Sequence, residues 1–182
     1  MENTLTTARL ILRPWHDDDA PALFKYASDP EVGPRAGWPP HQSVEESLGI
    51  IRTVFSGEGM WAVVLKESGE PIGCAGYLTA ANSNLAIEDD QCEVGYWIAR
   101  PYWGQGLCTE ALRRIVDFCF NEKSFVSLWG DYFPDNPASG RVMEKCGFAD
   151  TGRQQLCPNL AVGANRPVRI MQLTQAAYRR QG

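Results

Sequence analysis

The run Arg100-Pro101-Tyr102-Trp103-Gly104-Gln105-Gly106-Leu107-Cys108-Thr109-Glu110-Ala111-Leu112 constrains this chain more than any other stretch. Before it, Cys92 to Ala99 is rich in β-branched and aromatic residues and reads as a strand, which Pro101 ends. After it, Leu107, Ala111, Leu112, Ile115, Val116 and Cys119 fall on one helical face, and Glu110, Arg113, Arg114 and Asp117 on the other. The segment is therefore strand, glycine turn, amphipathic helix. Gly104 and Gly106 carry no Cβ where the chain must turn and where a ligand can come close. The first turn of the helix has unpaired N–H groups and the positive end of the helix dipole. Together these make an anion site, most naturally for phosphate. The spacing is not G-x-G-x-x-G, and no Gly-Lys-Ser/Thr follows, so it is neither a Rossmann fingerprint nor a P-loop. On spacing alone the run reads equally well as a tight turn with no ligand.

Such a helix needs a core to pack on, and 182 residues are enough for one; the simplest division is a single domain over 1–182. Hydrophobic residues make up 44% and charged residues 21%, an ordinary globular balance. Lys and Arg number 17 against 22 Asp and Glu, a net charge of −5 with no long basic run, which argues against a nucleic-acid surface. This field tolerates a cationic small molecule or a peptide amine better than a polyanion. The six cysteines form no C-x-x-C pair, and several lie in apolar runs as buried free thiols do. Two histidines are too few for a zinc site of the usual spacing, so no metal is expected. The N-terminus is polar and nothing approaches a membrane span, so the expected setting is the reducing cytoplasm with no membrane partner. Monomer and homodimer both remain open.

Taken in order, Leu10 to Trp15 reads as an opening strand. Asp17-Asp18-Asp19 caps a helix whose apolar face is Ala22, Leu23, Tyr26 and Ala27, and Asp29-Pro30 ends it. Residues 33–41 are irregular by composition, and Trp38 is placed there as a wall of a substrate pocket, with His41 as a packing residue. Ser43-Val44-Glu45-Glu46 is a capping box for a helix with Leu48, Ile51, Val54 and Phe55 inward and Gly57 as its C′ residue. Strands over 61–66 and 71–78 flank a hairpin turn, and Gly73 and Gly76 point to a bulge or close backbone approach. Residues 80–91 form a polar loop. After the long helix comes a strand over 126–133, then a short helix with Asn136 as N-cap, Pro137 at N1 and Gly147 closing it. A last strand covers 167–173, and the tail from Ala176 is expected to fray. The fold class is α+β, a mostly antiparallel sheet with one strand–helix–strand unit across the glycine turn.

Trp103 to Ala111 resembles the acetyl-CoA pyrophosphate motif of the GCN5-related N-acetyltransferases (GNAT). Glu93 to Ile98 before it, and Asn136-Pro137-Ala138-Ser139 with Glu144 to Phe148 after it, resemble the branch containing the ribosomal-protein N-terminal acetyltransferases. Thr7 to Trp15 is similar to that branch's usual opening, so the resemblance runs from about residue 5 to about residue 174. Two departures stand in the motif: Trp103 where the family usually has Arg or Gln, and Cys108 where it usually has Gly or Ala.

The resemblance implies a sheet whose central strands splay, with the pantetheine arm of acetyl-CoA filling the gap. The implied cofactor-binding residues are Ile98, Arg100, Trp103, Gly104, Gln105, Gly106, Leu107, Cys108, Thr109 and Asn136, with the pyrophosphate on the N–H groups of Gly104 through Thr109. N-acetyl transfer needs a neutral amine, an oxyanion donor and a proton for the leaving thiolate. Glu93 is the base candidate, directly or through water, and its other reading is a solvated strand-start residue. Ile98 N–H is the implied oxyanion donor and Ser139 the implied proton donor to sulfur. Cys108 at a helix start is the one candidate for a covalent thiol route. The expected activity is direct transfer from acetyl-CoA to a primary amine, a small molecule or a peptide N-terminus. The rival readings are a non-catalytic acyl-CoA sensor and a structural domain without cofactor. Residues 31–47 and 79–92, which would choose the acceptor, contain loops that do not name it.

Overall fold

In the computed structural model, which describes residues 4–180, the strand before the glycine turn is β5 (Gln91–Ile98) and the helix after it is α4 (Leu107–Asn121). All six residues of the inward row on α4, from Leu107 to Cys119, are buried. Full burial of one large aliphatic side chain is worth about 1.5–3 kcal/mol, so this stripe fixes α4 to the sheet.

The remaining strands are β1 (Leu5–Thr6), β2 (Leu10–Arg13), β3 (Met60–Leu65), β4 (Pro71–Thr79), β6 (Ser127–Tyr132), β7 (Ala149–Asn159) and β8 (Ala164–Thr174). They form one eight-stranded sheet in the order β1-β2-β3-β4-β5-β6-β8-β7. Among the described residues only β5 and β6 run parallel, joined by the α4 crossover. Their pairing stops after three residues, from Gln91↔Ser127 to Glu93↔Trp129. Beyond that point β5 stays with β4 as far as Gly73↔Ile98, and β6 stays with β8 as far as Tyr132↔Arg169. The centre of the sheet is therefore split, as the resemblance implied.

The helices are α1 (Ala20–Ala27), α2 (Gly33–Ala36), α3 (Val44–Thr53), α5 (Pro137–Lys145) and α6 (Gln175–Arg179). α4 and α5 cover one face, packing Leu112, Ile115 and Met143 on Val94, Ile98 and Leu128. α1 and α3 cover part of the other, packing Leu23, Ala27 and Ile51 on Ala62, Val64 and Cys74. Gly73 and Gly76 are close approaches: a Cβ there would lie 2.2 Å from the Trp97 carbonyl oxygen and 2.0 Å from that of Gly59.

Several expectations need correction. β7 went unseen because it is polar, holds Gly152 and Pro158, and pairs only with β8, so it shows no apolar alternation. The tail does not fray within the described residues: Thr174 caps α6, and Tyr178 stacks on Phe120 at 4.7 Å and donates to Asp117. Residues 33–36 close a single helical turn, α2, ended by Gly37 at φ +93°. α3 stops at Thr53, so Val54 is exposed and Gly57 lies beyond the cap. The Ser43 side chain caps Glu46 N–H, but the Glu46 carboxylate reaches Gln42 N–H and not that of Ser43.

Candidate active site

The glycine turn has the backbone the sequence called for. Gly104 and Gly106 adopt φ +74° and +76°, where side chains are strained. A Cβ at Gly104 would meet nothing within 4 Å, so the ground beside the turn is open. The first helical bond of α4 runs from Glu110 N–H to Gly106 C=O. The N–H groups of Leu107, Cys108 and Thr109 therefore precede the helical ladder, and Gly106 has no side chain to cap them. Leu107 and Thr109 bury their side chains, which leaves only their backbone for a ligand. Glu110 accepts from Thr7 Oγ1 at 2.6 Å, Arg9 N–H at 2.8 Å and Arg9 Nε at 2.7 Å. Arg9 also donates to the Gln105 carbonyl at 3.0 Å, so the β1–β2 turn clamps the glycine loop. A groove of about 560 Å³ leads off from Gly106 and is lined by Arg9, Arg113 and Lys145.

The split between β5 and β6 is lined by backbone. The bond from Ala99 N–H to the Ile72 carbonyl sets the parity of β5 against β4. By that parity the N–H and C=O groups of Tyr96 and Ile98 point away from β4, toward β6, where no strand pairs with them. Trp103 Nε1 donates to the Ile98 carbonyl at 2.6 Å, and the Arg35 guanidinium lies 5.6 Å from the Trp103 ring. Arg100 pairs with Asp29 at 2.8 Å. On α5, Ser139 lies against Tyr96, whose hydroxyl is 2.8 Å from the Ser139 carbonyl and 3.0 Å from its Oγ. Asn136 occupies the N-cap position but does not cap: its Nδ2 donates to the Arg35 carbonyl at 3.1 Å, tying α5 to α2.

Glu93, Gly95 and Trp97 alternate onto the opposite face from Tyr96 and Ile98. Glu93 is buried at 7% exposure and accepts from Ser83 Oγ and Asn84 N–H, so the solvated reading is wrong. Burial raises its carboxyl above the ordinary range, and the bonds from Ser83 and Asn84 only partly offset that. A Cβ on Gly95 would meet nothing within 4 Å, so the floor beside Glu93 is open. Trp97 closes one end, with Trp38 edge-on at 5.6 Å. Trp129 pairs with Glu93 in register, and Asp131 follows on the same face. Burial and the Glu93 charge push Asp131 up to about 7. His41 is buried, its Nδ1 is 2.8 Å from Ser47 Oγ, and burial lowers its pKa, as a packing residue. Burial pushes the Cys108 thiol up to about 12, so the helix start does not activate it.

One face of the split thus faces α4, Tyr96 and Ser139, and the other holds Glu93, Asp131 and two tryptophans. A family model described as an acetyltransferase (GNAT) domain matches residues 9–149. The chain belongs to the GNAT acetyltransferases. This GNAT chain is 31% identical over 162 residues to YoaA of Bacillus subtilis (strain 168), named an uncharacterized N-acetyltransferase, covering 85% of the chain and 89% of the relative. It is 26% identical over 159 residues to the [ribosomal protein uS5]-alanine N-acetyltransferase of Escherichia coli (strain K12), covering 81% and 79%. The solved structure of AAC(6')-Ib in complex with ribostamycin and coenzyme A overlays with a TM-score of 0.74 at 21% identity, covering 93% and 95%, a likeness of fold. The resemblance drawn from the motifs holds, and the GNAT chain is an acetyl-CoA-dependent N-acetyltransferase.

Sequence reasoning passed over Asp131 and Tyr96. The signal for Asp131 was present: a carboxylate inside the aromatic strand Trp129 to Phe133. That for Ser83 was not, since only folding brings the 80–90 loop back over Glu93. Glu88, Asp89 and Asp90 are exposed at the foot of β5; Ser83 and Asn84 are the loop residues that reach the site. Among the described residues no group of His, Cys, Asp and Glu is arranged to hold a metal, and no helix is long and apolar enough to cross a membrane.

Proposed function

We propose that this GNAT enzyme, one catalytic domain over residues 1–182, works in the cytoplasm and acetylates a primary amine by direct attack in a ternary complex. One observation carries the reading: the β5–β6 split joins a face bearing Ser139 and the start of α4 to a face bearing Glu93. The glycine turn fits a pyrophosphate, because positive φ, open space and unladdered N–H groups coincide there.

Acetyl-CoA supplies the thioester carbonyl that the amine nitrogen attacks. The N–H groups from Gly104 through Thr109 bind the pyrophosphate, and the backbone of Ile98 pairs with the pantetheine arm. Arg100 and Trp103 frame that arm at the end of β5, and Asn136 faces it from α5. Glu93 takes the proton from the ammonium, directly or through one water; its raised pKa brings it closer to the amine's own. Ile98 N–H, free of β4, faces the developing oxyanion. Ser139 Oγ–H gives its proton to the departing sulfur and recovers one from solvent. An N–C bond forms, the C–S bond breaks, and the products are an amide and the coenzyme A thiol. Trp38 walls the acceptor side.

The test is release of free coenzyme A thiol across a panel of amines. The E. coli relative is named for an alanine of ribosomal protein uS5, so peptides beginning with Ala stand beside small amines. Transfer to at least one class is expected. Glu93→Gln should lower kcat by about 10²-fold and flatten the pH profile while coenzyme A still binds. No thiol release with any amine would overturn the reading, and a near-wild-type Glu93→Gln would remove Glu93 as the base.

A further inference from the structure

The acceptor face holds two carboxylates, Glu93 and Asp131, neither of them in an ion pair among the described residues. Glu93 is bound by Ser83 and by the backbone of Asn84 and Leu85, and among the described residues no Lys, Arg or His pairs with Glu93 or Asp131. The titratable groups that act on Asp131 are Glu93 from β5 and the Cys157 thiol from β7, and Asp131 acts in turn on the Tyr96 hydroxyl. β8 presents Val168 and Ile170, apolar and buried, and on the same face Arg166, whose guanidinium is turned to Asp135 at 2.9 Å and to the Phe133 ring at 5.1 Å. Two carboxylates in one apolar cleft repel, and one keeps its proton unless a cation joins them.

The cleft is shaped to admit such a cation. The space over Gly95 is open, with Glu93 on one side, Trp97 on the other and Asp131 across the split. Trp38 and Trp97 supply aromatic edges and faces that suit an alkylammonium.

We propose that Asp131 is the acceptor-binding carboxylate of this enzyme, and that with Glu93 it holds the acceptor as an alkylammonium ion. This rests on the acceptor entering beside Glu93, as in the function proposed above. The division of labour is then defined. Asp131 reads the positive charge and enters the affinity for the acceptor. Glu93 removes the proton and enters the rate. A neutral nucleophile of the same shape, an alcohol, gains nothing from Asp131.

The test separates binding from turnover. Benzylammonium and benzyl alcohol are titrated calorimetrically into the protein saturated with coenzyme A, in two buffers of different ionisation heat, at pH 7. Benzylammonium should bind at least 10-fold more tightly than the alcohol. It should also release roughly half a proton, because Asp131 is pushed up to about 7 and ionises when the cation arrives. Asp131→Asn should lower benzylammonium affinity about 10-fold and abolish the proton release, leaving the alcohol unchanged. Asp131→Glu, which keeps the charge, should recover part of both and guards against a fold defect. With an accepted amine, Asp131→Asn should raise KM about 10-fold with kcat changed less than 3-fold. Equal binding of ammonium and alcohol, or undiminished proton release in Asp131→Asn, overturns the proposal. If ammonium binds as expected but no amine is ever acetylated, the transfer reading fails and the cation site stands.

Discussion

The Tyr96 hydroxyl on β5 lies 2.8 Å from the Ser139 carbonyl and 3.0 Å from Ser139 Oγ on α5, so one side chain spans two elements on the α4 side of the split. Burial, and then the neighbouring Cys108, raise the Tyr96 pKa well above 10, so it is a neutral donor over the whole working range. Its single proton goes to the carbonyl at the shorter distance. On the mechanism proposed above, the Ser139 proton then moves from the Tyr96 oxygen to the departing sulfur, and Tyr96 is a positioning residue acting through Ser139.

Tyr96→Phe should therefore lower kcat by about 3–10-fold, the worth of one hydrogen bond of ordinary strength. Ser139→Ala should cost a similar factor. The double variant should be no worse than the poorer single, because both remove the same path. Initial rates at saturating acetyl-CoA measure this, with the coenzyme A dissociation constant as control. A double variant that multiplies the two losses would mean that Tyr96 and Ser139 act separately.

Gly106 opens α4 at φ +76°, where a side chain is strained. A Cβ there would find only Arg9 Nη2, at 3.7 Å, so the obstacle is backbone conformation and not space. Gly106→Val should fold with a stability loss on the order of 1–3 kcal/mol. Wild type should gain roughly 2.7 kcal/mol from coenzyme A at one hundred times its dissociation constant, and the variant should gain none. Thermal denaturation with and without coenzyme A decides it; a variant that keeps the full shift would put the pyrophosphate elsewhere.

The Glu110 clamp has its own pH signature. Burial alone would raise the Glu110 carboxyl, but the donors Thr7 and Arg9 outweigh it and hold the pKa below 4.5. A carboxyl depressed on folding contributes stability above its unfolded pKa and loses it as pH falls through its folded one. Glu110→Gln should cost on the order of 1 kcal/mol at pH 7, with the gap to wild type closing below 4.5. Denaturant titrations at pH 7 and pH 3.5 check both halves. A gap that persists unchanged at pH 3.5 would mean that shape and not charge holds the clamp.

The cofactor side was far more legible in the sequence than the acceptor side, and the reason is physical. The strand, glycine turn and helix from Cys92 to Cys119 are local, and their periods and positive-φ demands are written in consecutive residues. Glu93 was legible as a carboxylate on that strand, but its burial was not, because Ser83 returns from ten residues away to cover it. Asn136 was read correctly as a helix start and wrongly as a cap, since its partner is the Arg35 carbonyl, 101 residues distant. Glu110 read as solvent-facing because its three donors come from the β1–β2 turn, about a hundred residues away. β7 left no pattern because an edge strand with polar residues has little apolar face to show. Asp131 needed the parallel register with β5 to be seen beside Glu93.

That pairing of Asp131 with Glu93 also predicts a stability that falls with pH. Burial first, and then the Glu93 charge, push Asp131 from 3.8 up to about 7. A carboxyl raised on folding binds its proton more tightly in the native state, so the native state holds more protons between those two values. The Asp131 contribution to native stability must then fall as pH rises from 3.8 to about 7, and level off above. Asn has no proton to lose. Asp131→Asn should match wild type at pH 3.5 and exceed it at pH 8 by on the order of 1 kcal/mol, about 2–4 °C in Tm for a chain of this size. Glu93→Gln should move Tm in the same direction, because burial raises that carboxyl too. The two gains should not add, since removing either charge lowers the pKa of the other. Thermal melts of the wild type, both single variants and the double variant at pH 3.5 and pH 8 give every term. If the Asp131→Asn gap is the same at both pH values, Asp131 is not raised in the native state. If the gap grows with pH, the enzyme keeps at its acceptor face a charge that destabilises the empty fold, and a bound cation should restore that stability.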